Sequence, residues 1–271
     1  MKGISVREVT NENVDELCRI CVPPEKRTDP IFMTSMELKR KWALEMLERW
    51  DTCAKLAYRG STPVGMIQYY PVPEQGIVRI HCIYVPEEGN WRKGIGTRLL
   101  SSLIEDVGEP KGWFGNEPAV ALVTKTFPGE KPGQYPARLF FRRKGFRRVG
   151  DDPDLLYYPL RPGFVYRPPE EQGRDYIPQE EDKGRAVFIY GPSPCPFAYV
   201  FLKRAEQVVR EAAPHLSVRW INASEEPDEV RKRGGITGCI VNAVPIRSLV
   251  LDEGRFRAEV LEALKRGRSS E

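Results

Sequence analysis

Long apolar runs are missing from this chain. None approaches the length of a membrane span, and the opening MKGISVREVT has no signal-peptide core, so a cytoplasmic protein without membrane contact is expected. An excess of one charge sign is missing too: 42 Lys and Arg are interspersed with 38 Asp and Glu for a formal net charge of +4. That balance carries no nucleic-acid footprint. Cysteine is limited to Cys18, Cys21, Cys53, Cys82, Cys195 and Cys239, too scattered for a disulfide scaffold, and reduced thiols are expected. Cys18 and Cys21 form a C-x-x-C, but no second cysteine or histidine pair lies near to complete a zinc site. They read as small hydrophobes of a helix, and no metal is expected.

What is present is a globular composition, 41% apolar over 271 residues, a length comfortable for two domains. Composition changes after Leu160, where Arg167-Pro168-Pro169-Glu170-Glu171 and Pro178-Gln179-Glu180-Glu181-Asp182 are polar and broken by proline. The expected organisation is a first domain over 1–163, a linker over 164–185 and a second domain over 186–271. Oligomeric state is not legible.

The stretch from Cys82 to Leu100 organises the first domain. An apolar, β-branched run ends at Val85-Pro86, a polar loop follows, and Lys93-Gly94-Ile95-Gly96-Thr97 opens a segment with helical apolar spacing. The first turn of a helix leaves backbone N–H groups unpaired, and Gly94 and Gly96 remove side chains that would keep a bulky anion away. A phosphate fits there, with Arg92, Lys93 or Thr97 adding donors. Glycines that merely permit a tight turn are the alternative.

Around this loop the chain reads as a strand over Ile4–Val9, a helix from Val14, and an amphipathic helix over Met36–Trp50. Strands Cys53–Tyr58, Val64–Tyr70 and Ile77–Val85 then lead to the loop. Beyond the helix lie a fully apolar strand at Ala119–Val123, a helix over Pro136–Lys144 closed by Gly145, and strands Phe146–Val149 and Leu155–Leu160. This order predicts an α+β fold whose mixed, mostly antiparallel sheet is flanked by helices.

Two motifs carry a resemblance. Trp91-Arg92-Lys93-Gly94-Ile95-Gly96 resembles the acyl-CoA loop of the GNAT superfamily of N-acyltransferases, Gln/Arg-x-x-Gly-x-Gly/Ala, with Trp91 departing from the pattern. Ala137-Arg138-Leu139-Phe140-Phe141-Arg142-Arg143-Lys144-Gly145-Phe146 resembles that superfamily's Ala-x-x-Leu-Tyr-x-x-x-Gly-Phe. The likeness spans roughly residues 4–160.

The resemblance implies an acetyl-CoA-dependent N-acetyltransferase acting on an amine, here of a small molecule. Ile83, Tyr84 and Val85 would orient the pantetheine through their backbone, and Arg92, Lys93, Gly94, Ile95, Gly96 and Thr97 would bind the phosphates. It also implies helices near Phe32, Met33 and Trp42 flanking the acceptor. Acetyl transfer needs a neutral amine, a polarised carbonyl and a proton for the departing thiolate. Phe141 occupies the position of the tyrosine that often supplies that proton and has none to give, which leaves it a place in the cofactor site. Tyr135, Tyr84, a water or the substrate are the alternatives. His81 is the candidate base, one of two histidines, although it alternates in phase with Ile83 and Val85 and burial is equally open. Cys82 beside it would face the other way on a strand, so direct attack by the amine is preferred to a covalent route.

In the second domain, strand Ala186–Tyr190, the segment Gly191–Pro196 and helix Phe197–Ala213 are followed by strand Val218–Asn222. A helix near Asp228–Arg233, two strands near Cys239–Asn242 and Val244–Leu249, and a helix over Phe256–Lys265 complete it. The order resembles a thioredoxin-like fold, and the whole resembles the YoaP-type fusion among microbial acetyltransferases. Cys195 stands at a helix start, which favours thiolate, but the motif is Cys195-Pro196-Phe197-Ala198 and lacks the resolving thiol. Cys195 and Cys239 remain as a possible thiol site. A non-catalytic acyl-CoA-binding or thiol-sensing protein is therefore the alternative function.

Overall fold

The computed structural model describes residues 3–127, 133–169 and 175–266. The chain divides into two compact units, Met1–Pro23 with Ala43–Glu171, and Pro24–Trp42 with Gln172–Glu271. Among the described helices none is long and apolar enough to cross a membrane.

The first unit begins with β1 (Ile4–Glu8) and α1 (Val14–Arg19). Helix α2 (Pro30–Trp50) follows, and the division between the units falls inside it. It starts six positions before the Met36 read from apolar spacing. The Asp29 carboxylate accepts hydrogen bonds from the N–H groups of Ile31 (2.9 Å) and Phe32 (3.3 Å), and Pro30 supplies a preset first helical residue.

Then come β2 (Ala54–Arg59), β3 (Thr62–Val72), β4 (Ile77–Tyr84), α3 (Ile95–Val107) and β5 (Ala121–Lys125). The unit closes with α4 (Ala137–Arg143), β6 (Arg147–Val149) and β7 (Asp152–Pro159). The seven-stranded sheet has the order β1-β2-β3-β4-β5-β7-β6. Every pairing is antiparallel except β4 with β5. Helix α3 buries Ile95, Leu99, Leu100, Leu103 and Val107 against Val78, Ile80 and Leu122, each buried large side chain contributing about 1.5–3 kcal/mol. The opposite face packs Ile77, Ala121, Val123 and Tyr157 with Tyr166, which lies beyond the last strand.

The second unit contains β8 (Arg185–Tyr190), α5 (Phe197–Ala212), β9 (Ser217–Asn222) and α6 (Pro227–Lys232). Strands β10 (Gly238–Val241) and β11 (Val244–Ile246) and helix α7 (Glu253–Arg266) follow. Its sheet runs β11-β10-β8-β9, with β8 and β9 parallel and the other pairs antiparallel. Helices α5 and α7 cover one face through Val208, Val209, Phe256 and Val260. On the other face Tyr176, Val230 and Ile236 pack over Val187, Ile189, Ile221 and Ile240. Residues 175–183 are thus tied to this unit: the Tyr176 hydroxyl donates to Asp182 (2.8 Å), and the Gln179 amide donates to the Lys232 carbonyl (2.9 Å). Arg233, fully buried, bonds Asp182 through two nitrogens at 2.8 and 2.6 Å and also reaches Glu181 and Glu229.

Candidate active site

The site grows from a break in strand pairing. β4 and β5 run parallel from Ile77–Ala121 to Ile80–Thr124, and there their pairing ends. Beyond Ile80, β4 keeps β3 on one side, and among the described residues its pairing with β5 goes no further. Such an edge offers N–H and C=O groups to an extended ligand.

At the same point β4 carries a bulge. Gln68 pairs with Cys82 and Tyr69 with Ile80, so His81 is the extra residue. Val78 and Ile80 pack into the α3 core before the bulge, and Ile83 and Val85 pack into the same core after it. Simple alternation put His81 in phase with Ile83 and Val85, and the bulge corrects that reading: His81 is exposed, whereas Ile80 before it is buried and Cys82 after it half-buried. Tyr84 is half-buried opposite Met66, and burial, helped by the neighbouring Cys21 and Cys82 thiols, raises its pKa. Its hydroxyl stays protonated at neutral pH.

The loop after β4 is braced internally. The Trp91 indole N–H donates to the Val85 carbonyl at 2.8 Å, and the backbone N–H groups of Asn90 and Trp91 donate to Glu87 and Glu88 at 2.9 Å. Arg92 at φ 58° and Gly94 at φ 72° take left-handed conformations that swing the chain into α3. No side chain caps α3, so the amides of its first turn point outward without an intrahelical partner. Arg92 and Lys93 are exposed and have no ion-pair partner among the described residues. Ile95 is buried beneath the loop, Thr97 is half-buried on its rim, and Gly96 lies against Phe140 and Ile83. A phosphate there meets free N–H groups, two cations and the positive end of the helix dipole.

Phe141 sits inside the core, 5.3 Å from Phe140 and 4.8 Å from Phe146 between ring centroids, and is 2% exposed. Tyr135 stands just before α4 with a buried hydroxyl that has no hydrogen-bond partner among the described residues, and the Arg143 guanidinium lies over its ring at 5.2 Å. An orphaned buried hydroxyl is costly unless a ligand completes it. Two polar residues not singled out from sequence flank the break: Gln68, paired with Cys82, and Thr124, paired with Ile80, both buried. A glutamine and a threonine inside apolar strands were the available signal.

In the second unit Cys195 is half-exposed just before α5, and its N–H donates to the Ser193 hydroxyl at 3.2 Å. Cys239 lies on β10 between Phe188 and Ile246, where burial pushes its thiol pKa far up. Neither is in a disulfide, and no group of metal-ligating residues exists among the described residues.

Residues 12–127 match the acetyltransferase (GNAT) family. The matched residues run from α1 to β5 and include the glycine loop, and the chemistry of that family is acetyl transfer from acetyl-CoA. A search of curated proteins finds no match. Among solved structures, the chain is similar to the PaiA N-acetyltransferase from Thermoplasma acidophilum in complex with coenzyme A, at 13% identity and TM-score 0.42, covering 58% of this chain and 99% of that one. It is also similar to a GNAT family acetyltransferase from Brucella melitensis in complex with acetyl-CoA, at 15% identity and TM-score 0.39, covering 61% and 93%. Of a longer Pyrococcus horikoshii structure it spans 44%, with 54% of this chain covered at 18% identity and TM-score 0.39.

Proposed function

We propose that the protein transfers an acetyl group from acetyl-CoA to the amine of a small molecule by direct attack. The observation that carries this reading is the end of β4–β5 pairing at Ile80 and Thr124, beside the uncapped start of α3. Acetyl-CoA supplies the activated thioester. The amides of Ile95, Gly96 and Thr97, with Arg92 and Lys93, hold its phosphates. The strand end at Ile83, Tyr84 and Val85 orients its pantetheine and polarises the thioester carbonyl.

His81, displaced to the surface by the bulge, takes a proton from the substrate ammonium, and the neutral amine so formed attacks the thioester carbonyl. The Tyr135 hydroxyl, buried with no hydrogen-bond partner among the described residues, gives its proton to the thiolate as the bond to sulfur breaks and regains one from the acylated nitrogen as the amide forms. Tyr84, held protonated by burial, is the second donor within this strand end. The amine becomes an amide, coenzyme A leaves as the thiol, and no acyl-enzyme forms.

The second unit we propose to be thioredoxin-like, supported by its strand order β11-β10-β8-β9 with a helix between the parallel pair. With Ala198 at the position of a resolving thiol, it serves binding rather than disulfide exchange.

The testing experiment is calorimetric binding of acetyl-CoA to wild type and to Gly96→Glu, followed by an amine panel read by release of free coenzyme A. Binding lost in the variant, and coenzyme A release that depends on a small amine, support the proposal. Binding with no turnover of any amine overturns it in favour of an acyl-CoA-binding protein.

A further inference from the structure

The first unit carries a groove of about 760 Å³ at the end of the sheet away from the glycine loop. Gly76, immediately before β4, and Val120, immediately before β5, line it, whereas the glycine loop follows the last residue of β4. The length of β4 separates the two places by about 25 Å. Nothing in the acetyl-transfer reading uses this groove.

Its lining is divided in kind. Trp113 and Phe114 form an edge-to-face pair with centroids 6.1 Å apart, and Val120 and Leu160 continue the apolar wall. The aromatic pair sits on a braced turn. Phe114 and Asn116 both donate backbone N–H bonds to the Lys111 carbonyl at 3.0 Å, and Glu117 donates to the Phe114 carbonyl at 3.2 Å. The polar part of the lining is one guanidinium, Arg161, and one carboxylate, Glu117. Both are exposed, and neither has an ion-pair partner among the described residues. Lys111, the nearby cation on the same turn, is already engaged by Asp106 at 2.6 Å. Gly108, which ends α3, also lines the groove and brings the negative end of that helix to the Glu117 side.

We propose that this groove binds a small zwitterion with an aromatic body, the class to which a free aromatic amino acid belongs. The ring packs on Trp113 and Phe114, the carboxylate pairs with Arg161, and the ammonium pairs with Glu117. A ligand with only one charge leaves the other rim group unanswered, so the groove discriminates by requiring both.

The test uses the full chain and L-phenylalanine as probe, with phenethylamine lacking the carboxylate and 3-phenylpropionate lacking the ammonium. Calorimetry is expected to show phenylalanine binding at least about tenfold tighter than either analogue, since each analogue forfeits one of the two ion pairs. Arg161→Gln is expected to weaken phenylalanine about tenfold while leaving phenethylamine unchanged, and Glu117→Gln to do the converse with 3-phenylpropionate. Both substitutions lie on the surface and leave the fold intact. Trp113→Ala, checked for folding by circular dichroism, is expected to abolish binding. No heat with phenylalanine up to about 10 mM, equal binding of phenethylamine, or unchanged affinity in Arg161→Gln each overturns the proposal. Acetyl transfer is not the readout, so failure here is independent of the acetyltransferase reading.

Discussion

Gly65 on β3 lies directly under Ile95, the first residue of α3: a Cβ at position 65 would stand 2.8 Å from the Ile95 Cγ2 and 3.3 Å from a Val85 methyl. The missing side chain lets the helix start, and the loop that precedes it, settle onto the sheet. Gly65→Val is therefore expected to overpack this contact and cost about 1–3 kcal/mol in urea unfolding. It is also expected to weaken acetyl-CoA binding, because the amides of Ile95 and Gly96 move with the helix. Gly65→Ala, with a single Cβ, is expected to show the same two effects in smaller measure. Unchanged affinity in a measurably destabilised Gly65→Val would separate the loop from this packing.

Tyr135 offers a test in which stability and activity move apart. Its hydroxyl is buried with no partner among the described residues, so Tyr135→Phe is expected to leave thermal stability equal or slightly raised. A positioned general acid contributes roughly 10²–10⁴-fold, so kcat with the preferred amine is expected to fall about a hundredfold or more at unchanged acetyl-CoA affinity. Tyr84→Phe made in parallel identifies the donor: if its kcat falls and that of Tyr135→Phe does not, the acid is Tyr84.

How much of this was written in the sequence differs from place to place. The glycine loop was legible because Gly94 and Gly96 interrupt a pattern that changes from strand to helix within a few residues. The tie between Gly65 and Ile95 was not, since it joins residues thirty positions apart and a glycine inside a strand has several uses. His81 was found as a chemical candidate but given the wrong phase, because a bulge is set by cross-strand register with Gln68 and Tyr69 rather than by local composition. The start of α2 was missed although Asp29-Pro30 is a helix-start signal, since the apolar rhythm becomes clear only further along.

In the second unit the Glu229 carboxyl is held down to about 2 by hydrogen bonds from Lys232 and Arg233, against an ordinary value of 4.5. Its folded value lies below its unfolded one. The stabilisation is thus fully present above the ordinary value and is lost as pH falls from there toward about 2. Urea unfolding of the full chain is expected to show wild type more stable than Glu229→Gln at neutral pH, with the gap closing as pH drops through this window. A gap that stays constant with pH would show that Glu229 acts by packing rather than by charge.

Thiol labelling discriminates the cysteines by the same physical terms. Cys18, Cys21, Cys53 and Cys239 are buried, and burial pushes the Cys239 thiol away from thiolate, whereas Cys82 and Cys195 are half-exposed. Brief iodoacetamide treatment of the native protein, mapped by mass spectrometry, is expected to modify Cys82 and Cys195 and spare the other four. Because Cys82 lies on β4 just past the end of its pairing with β5, saturating acetyl-CoA is expected to protect it and leave Cys195 at its original rate. Protection of Cys195 alone would instead connect the second unit to cofactor binding, and protection of neither would place the pantetheine away from the β4 edge.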